Sequence, residues 1–121
     1  MLILLVEDIE DNRDFLRVMI ESLGHEVLEA VNGKDGLRVA LKQKPDLILM
    51  DLSMPEVDGF QATGAIRSIS SLIHIPIIAV TAYPKHLWME KAMDAGCDAF
   101  LSKPVSREAL KEVIERFGGK A

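Results

Sequence analysis

The sequence predicts an α/β protein in which a parallel sheet is covered by helices on both faces. Two observations predict it. The aliphatic runs Leu2–Val6, Leu47–Met50 and 77–80 are too short for helices and do not alternate with polar residues, so they read as strands buried on both sides. Helical stretches separate these runs throughout, and strands alternating with helices at this spacing build a parallel sheet through right-handed crossovers. The pattern leaves the strand order open.

The elements follow in chain order. The first strand, Leu2–Val6, ends in Glu7-Asp8. Asp11 is a suitable N-cap for a first helix with Asp14 in its first turn, Phe15, Val18, Met19 and Leu23 on its inward face, and Gly24 at its end. Glu26–Ala30 is a weaker strand expected at a sheet edge, and Asn32-Gly33 turns the chain. Residues 34–42 form a second helix with Leu37, Ala40 and Leu41 inward, its carboxyl end complemented by Lys42 and Lys44.

The third strand, Leu47–Met50, runs into Asp51 and a Pro- and Gly-punctuated loop. Residues 60–70 are helical around Ile66 and Ile69, although Gly64 weakens the pattern. Residues 77–80 form the fourth strand and end in Thr81. A helix over Lys85–Ala95 is stopped by Gly96, and residues 99–101 form a fifth strand followed by Ser102, Lys103 and Pro104. Ser106 caps the last helix, whose Leu110, Val113, Ile114 and Phe117 fall on one face before Gly118-Gly119.

Composition narrows the class. A chain of 121 residues with 49% hydrophobic and 27% charged residues is expected to form a single domain, 1–121, with a sizeable core. Only 5% of residues are aromatic, so that core is aliphatic. A net charge of -5 argues against a nucleic-acid-binding surface. Cys97 stands alone, which excludes an intrachain disulfide, suits a reducing cytoplasm and casts it as a small buried apolar residue. No apolar stretch approaches the ~20 residues of a membrane span, and residues 1–6 lack the basic flank of a signal peptide.

The chemistry gathers at one rim. In a parallel sheet all strands point the same way, so Glu7, Asp8, Asp51, Thr81 and Lys103 meet at the carboxyl ends, where open α/β sheets place ligands. Two carboxylates ~5 Å apart repel by about 3 kcal/mol at an effective dielectric of ~20, so the cluster calls for a proton, the lysine or a divalent cation. Carboxylates with room for water suit Mg2+, and no Cys/His cluster in the sequence suggests zinc.

Glu7-Asp8, Asp51 with Met54-Pro55 and Asp58-Gly59, Thr81-Ala82 and Lys103-Pro104 together resemble the receiver domain of two-component response regulators, of the single-domain, chemotaxis-regulator-like type. The resemblance covers essentially the whole chain, with each motif at the end of its expected strand. It implies a flavodoxin-like, doubly wound, three-layer fold with five strands in the order 2-1-3-4-5 and five helices. Asp51 then matches the phospho-acceptor. Glu7 and Asp8 match the acidic pair that holds Mg2+ (or Mn2+) with Asp51 and the backbone carbonyl of Ser53. Thr81 matches the hydroxyl that binds the phosphoryl group, Lys103 the lysine that pairs with it, and Phe100 the aromatic switch, here without a tyrosine hydroxyl. Lys103-Pro104 resembles the family's cis peptide. Ser53 and Tyr83 match the positions flanking the water that ends the signal; Tyr83 is expected to shield the phosphoryl group, the alternative being that it points away and belongs to a partner-binding face.

The implied partners are a histidine kinase or histidine phosphotransfer protein as donor and a downstream protein reached through the strand-5, helix-4 and helix-5 surface. No direct contact with nucleic acid or membrane is implied, and the chain is a self-modifying acceptor, not a turnover enzyme. Plainer roles suit the remaining residues. Glu10, Asp11 and Asp58 read as caps or solvated loop residues, His25, His74 and His86 as surface, and Trp88, Met89 and Met93 as mainly core. Three rivals compete. An aspartate-nucleophile phosphatase of the haloacid dehalogenase type needs a second acid where Ser53 stands. A flavodoxin-like cofactor binder needs a Ser-, Thr- or Gly-rich loop where Glu7-Asp8 stands. A scaffold that is never phosphorylated has no use for a complete pocket.

Overall fold

A computed structural model describes residues 1–52, 54, 59–82 and 84–118. Strands β1 (Leu2–Val6), β2 (Glu26–Ala30), β3 (Leu47–Met50), β4 (Ile77–Thr81) and β5 (Ala99–Ser102) alternate with helices α1 (Glu10–Ser22), α2 (Gly33–Gln43), α3 (Gly59–Arg67), α4 (Lys85–Ala95) and α5 (Arg107–Gly118). All pairings are parallel and the order is β2-β1-β3-β4-β5, so the sheet is the expected flavodoxin-like one with β2 at an edge.

The unbroken aliphatic runs reflect two buried faces. Ile3, Leu5, Leu47, Leu49, Ile78 and Val80 pack against α1 and α5 through Leu16, Ile20, Leu110, Val113 and Ile114. Leu4, Val6, Ile48, Met50, Ile77, Ala79 and Phe100 pack the other way, against Val39 and Ala40 of α2, Ala62 and Ile66 of α3 and Ala92 of α4. Neighbouring residues in one strand thus serve opposite layers.

Several elements differ from their sequence reading. Helix α1 begins at Glu10 with Ile9 at its N-cap, not Asp11, because the Ile9 N–H donates to Glu7 Oε2 at 3.2 Å and the entry is already capped from the rim. Its inward face is Leu16 and Ile20, with Met19 and Leu23 partly buried, while Phe15 and Val18 are each 57% exposed. Leu41 is likewise exposed, and Val39 takes the inward place beside Ala40. Helix α3 ends at Arg67, and the chain continues through turns to β4. His25 is half-buried, its Nδ1 lying 3.1 Å from the amino group of Met1, whereas His74 and His86 are exposed as expected.

Arg67 carries a role no sequence pattern announced. Its guanidinium donates to the carbonyls of Gly96, Ile73 and Ile75 and to Asp98 Oδ2, tying the end of α3 to the segments before β4 and β5. No helix among the described residues is long and apolar enough to cross a membrane.

Candidate functional site

The rim is held by continuations of the sheet ladder. The Glu7 N–H donates to Ala30 O at 3.1 Å, Asp51 N–H to Val6 O at 3.0 Å and Lys103 N–H to Thr81 O at 2.9 Å. Each rim residue is therefore fixed by the strand next to its own. The Lys103-Pro104 peptide is cis, as expected. At the entrance to α3, Gly59 lies so close to the backbone of Asp51 and Leu52 that no Cβ would fit, which explains glycine at this position.

Glu7 and Asp51 are 1% and 3% exposed, and Asp8 is partly buried. One carboxylate oxygen from each lies within 4.8 Å of the others. Lys103 reaches in with Nζ 2.6 Å from Glu7 Oε1 and 3.5 Å from Asp51 Oδ2. Burial raises the Glu7 carboxyl above its usual range; the Lys103 hydrogen bond opposes the rise and nearby Asp51 adds to it. The ammonium thus compensates part of the repulsion among three acids, and one positive charge leaves the cluster net negative.

The oxygens suit a hard divalent cation: they are carboxylate donors on three short, fixed positions, and neither Cys nor His joins the cluster. Glu7 Oε1 accepts from Lys103 and Oε2 from the Ile9 N–H, so metal ligation by Glu7 would compete with both contacts.

Thr81 is fully buried at the end of β4, the strand beside β3. Ala79 is in register with Phe100 of β5, and Thr81, two residues on, shares Ala79's face. Phe100 is 8% exposed and packed into the layer beneath α2, α3 and α4. The structure thus brings Glu7, Asp8, Asp51 and Lys103 into one cluster, with Thr81 one strand away and Phe100 on the next. Ser53, Tyr83 and Asp58 lie outside the described residues.

Sequence reasoning missed Arg13. Its side chain is 14% exposed, and it donates from Nη1 to the Glu7 carbonyl at 2.9 Å, bracing the turn that carries both acids. An arginine on a helix carries no such signal by itself. Beside Lys103, Asn12, Phe15, Leu16, Pro104 and Val105 line a cavity of about 280 Å³ between α1 and the chain entering α5.

The family model described as the response regulator receiver domain matches residues 3–115. The polar-differentiation response regulator DivK of Brucella anthropi is 40% identical over 119 residues, covering 98% of this chain and 97% of that protein. The receiver domain of a sensor histidine kinase from Pseudomonas aeruginosa, with a magnesium ion coordinated in its active-site cleft, superposes with a TM-score of 0.91 at 37% identity, covering 98% of each chain. The chemotaxis protein CheY4 of Vibrio cholerae superposes with a TM-score of 0.89 at 28% identity over 96% of this chain and 97% of that one.

Proposed function

The chain belongs to the response regulator receiver domain family, and from that premise we propose that Asp51 is its phospho-acceptor within a single receiver domain, 1–121. The observation that carries the proposal is the geometry at Asp51: a buried carboxylate with Lys103 Nζ at 3.5 Å and oxygens of Glu7 and Asp8 within 4.8 Å. The donor is a phosphohistidine on a histidine kinase or phosphotransfer protein. An Asp51 oxygen attacks phosphorus in line, the P–N bond to the imidazole breaks, and the imidazole leaves with its electron pair and takes up a proton. Such a transfer needs alignment and charge neutralisation more than nucleophilic power. Asp8, Asp51 and Glu7 would hold Mg2+ (or Mn2+) with the Ser53 carbonyl, which would supply positive charge beside the transferring oxygens. Lys103 releases part of its hold on Glu7 to pair with the new phosphoryl group. Thr81 donates its hydroxyl to a phosphoryl oxygen.

Exposed Phe15, which lines the cavity beside Lys103, and exposed Val18 one turn further along α1 supply an apolar docking side for the donor. The phosphoryl group draws Thr81 inward, Phe100 rotates into the space it vacates, and the surface of α4, β5 and α5 changes for a downstream protein. The site modifies itself and does not turn over a substrate. A buried, reduced Cys97 and a net charge of -5 fit a cytoplasmic signalling partner that leaves nucleic acid alone.

Incubation with acetyl phosphate and Mg2+ tests the reading. One hydroxylamine-labile phosphoryl group is expected per chain and none on Asp51→Asn. Full labelling of that variant, or labelling that survives excess chelator, would falsify the assignment.

A further inference from the structure

Helix α4 is attached to the body by very little. Ala92 is its one fully buried residue, whereas Leu87, Met89 and Met93 are 65%, 36% and 38% exposed. The other inward anchor is Trp88, the only tryptophan in the chain, half-buried against the layer that contains Phe100. Its ring meets that of Phe60 on α3, with centroids 6.2 Å apart and planes inclined by 39°. Lys91, one turn further along α4, places Nζ 4.8 Å from the Trp88 ring centroid and 5.3 Å from that of Phe60. A tilted aromatic pair topped by a cation is an attractive arrangement beyond the area it buries.

The two rings sit on chain ends that lead to the site. Phe60 directly follows Gly59, which lies so close to the backbone of Asp51 and Leu52 that no Cβ would fit between them, so the start of α3 abuts the acceptor's strand end. Trp88 lies in the first turn of α4, its N–H donating to Pro84 O at 3.1 Å, and Pro84 stands three residues after Thr81. Lys103 closes the loop, bonded to Thr81 O through its backbone and lying beside Asp51 through its side chain.

We propose that Phe60, Trp88 and Lys91 are positioning residues of the switch: a clamp that holds α4 against α3 and passes a change at Asp51 to α4 by a route separate from Thr81 and Phe100. The proposal rests on Asp51 being the phospho-acceptor. A shift at Asp51 and Leu52 displaces Gly59 and with it Phe60, the contact with Trp88 loosens, and α4 is freed at its amino-terminal half. Lys91 sets how tightly the rings are held without being part of the core.

The test is hydrogen exchange of the α4 amides, with and without beryllofluoride and Mg2+, in the wild type, Phe60→Leu, Lys91→Met and Lys91→Arg. Without beryllofluoride, Phe60→Leu and Lys91→Met should exchange about 5-fold faster across α4, while Lys91→Arg, which keeps a cation over the rings, should match the wild type. With beryllofluoride the wild type should accelerate in α4, and Phe60→Leu should show little further change. Trp88 emission should shift on the same additions, and less in Lys91→Met than in Lys91→Arg. Equal α4 exchange in all four proteins without beryllofluoride overturns the clamp, as does failure of Lys91→Arg to restore what Lys91→Met loses. An undiminished response to beryllofluoride in Phe60→Leu overturns the coupling. Phosphoryl labelling of the same samples separates the two readings: an unlabelled wild type defeats the proposed function and the coupling, while the exchange rates without beryllofluoride still judge the clamp.

Discussion

Asp51→Asn should make the metal-free protein more stable, although it removes a buried ion pair. At an effective dielectric of ~20, the 3.5 Å separation between Asp51 and Lys103 is worth about 5 kcal/mol of attraction. The oxygens of Glu7 and Asp8, both within 4.8 Å, each oppose it by at least ~3.5 kcal/mol. Repulsion therefore exceeds attraction by roughly 2 kcal/mol, and solvent around the partly exposed Asp8 reduces the net gain to ~1 kcal/mol. Asparagine keeps the shape and leaves an oxygen for Lys103, so little packing is lost. Urea unfolding in the presence of a chelator should show a higher midpoint for the variant with an unchanged slope. Added Mg2+ should raise the wild-type midpoint more than the variant's, since the variant has lost a charged donor and the ion binds the folded state. A variant less stable than the wild type in chelator would refute the electrostatic account, and a wild-type midpoint indifferent to Mg2+ would remove the ion from the site.

Lys103→Met should act in the opposite sense, costing ~3 kcal/mol at neutral pH in chelator because it leaves buried Glu7 without its cation. Glu7 already holds its proton more tightly than in the unfolded chain, so the loss should shrink as pH falls through its raised value; pH-resolved unfolding curves check this. Thr81→Ala should still accept the phosphoryl group yet show a weakened change in target binding on adding beryllofluoride, and an undiminished response would show that the hydroxyl does not couple. Cys97 is pushed from 9.0 to about 11 by burial, so the folded chain keeps a proton that the unfolded chain releases. Wild-type stability should therefore fall relative to Cys97→Ala as pH rises from 9 toward 11, by about 2 kcal/mol at the upper end, and parallel curves would contradict that burial.

The sheet was legible because burial on two faces leaves a simple signature. Leu47 to Met50 and Ile77 to Val80 are apolar at every position since each neighbour faces a different helical layer. Strand order was not legible from pattern alone, because a continuous apolar run fits any interior place in a parallel sheet; the family motifs supplied it. Errors fell where two apolar stripes compete. On α1, Phe15 and Val18 and, on the neighbouring side, Leu16 and Ile20 both satisfy helical spacing, and the packing against β1 and β3 takes the second pair. Helix α2 ends at Gln43, one residue past the expected 42, although its cap Lys44 adopts the left-handed conformation, φ 47°, that a glycine usually announces.

The site divides along a similar physical line. Its charged members follow strand ends directly, so Glu7, Asp8, Asp51, Thr81 and Lys103 could be placed on one rim once the strands were known. Their mutual compensation could not be placed. That Lys103 lies nearer Glu7 than Asp51, 2.6 Å against 3.5 Å, depends on the extra methylene of glutamate and on the Ile9 N–H fixing the other oxygen. Arg13 braces the same turn through a backbone carbonyl, a contact made by the path of the chain and not by any pairing of side-chain types. Under the proposed function this has a consequence: a phosphoryl group on Asp51 would draw Lys103 toward new oxygens at the expense of its bond to Glu7 Oε1, and the Ile9 N–H on Oε2 would still hold that glutamate in the β1–α1 turn.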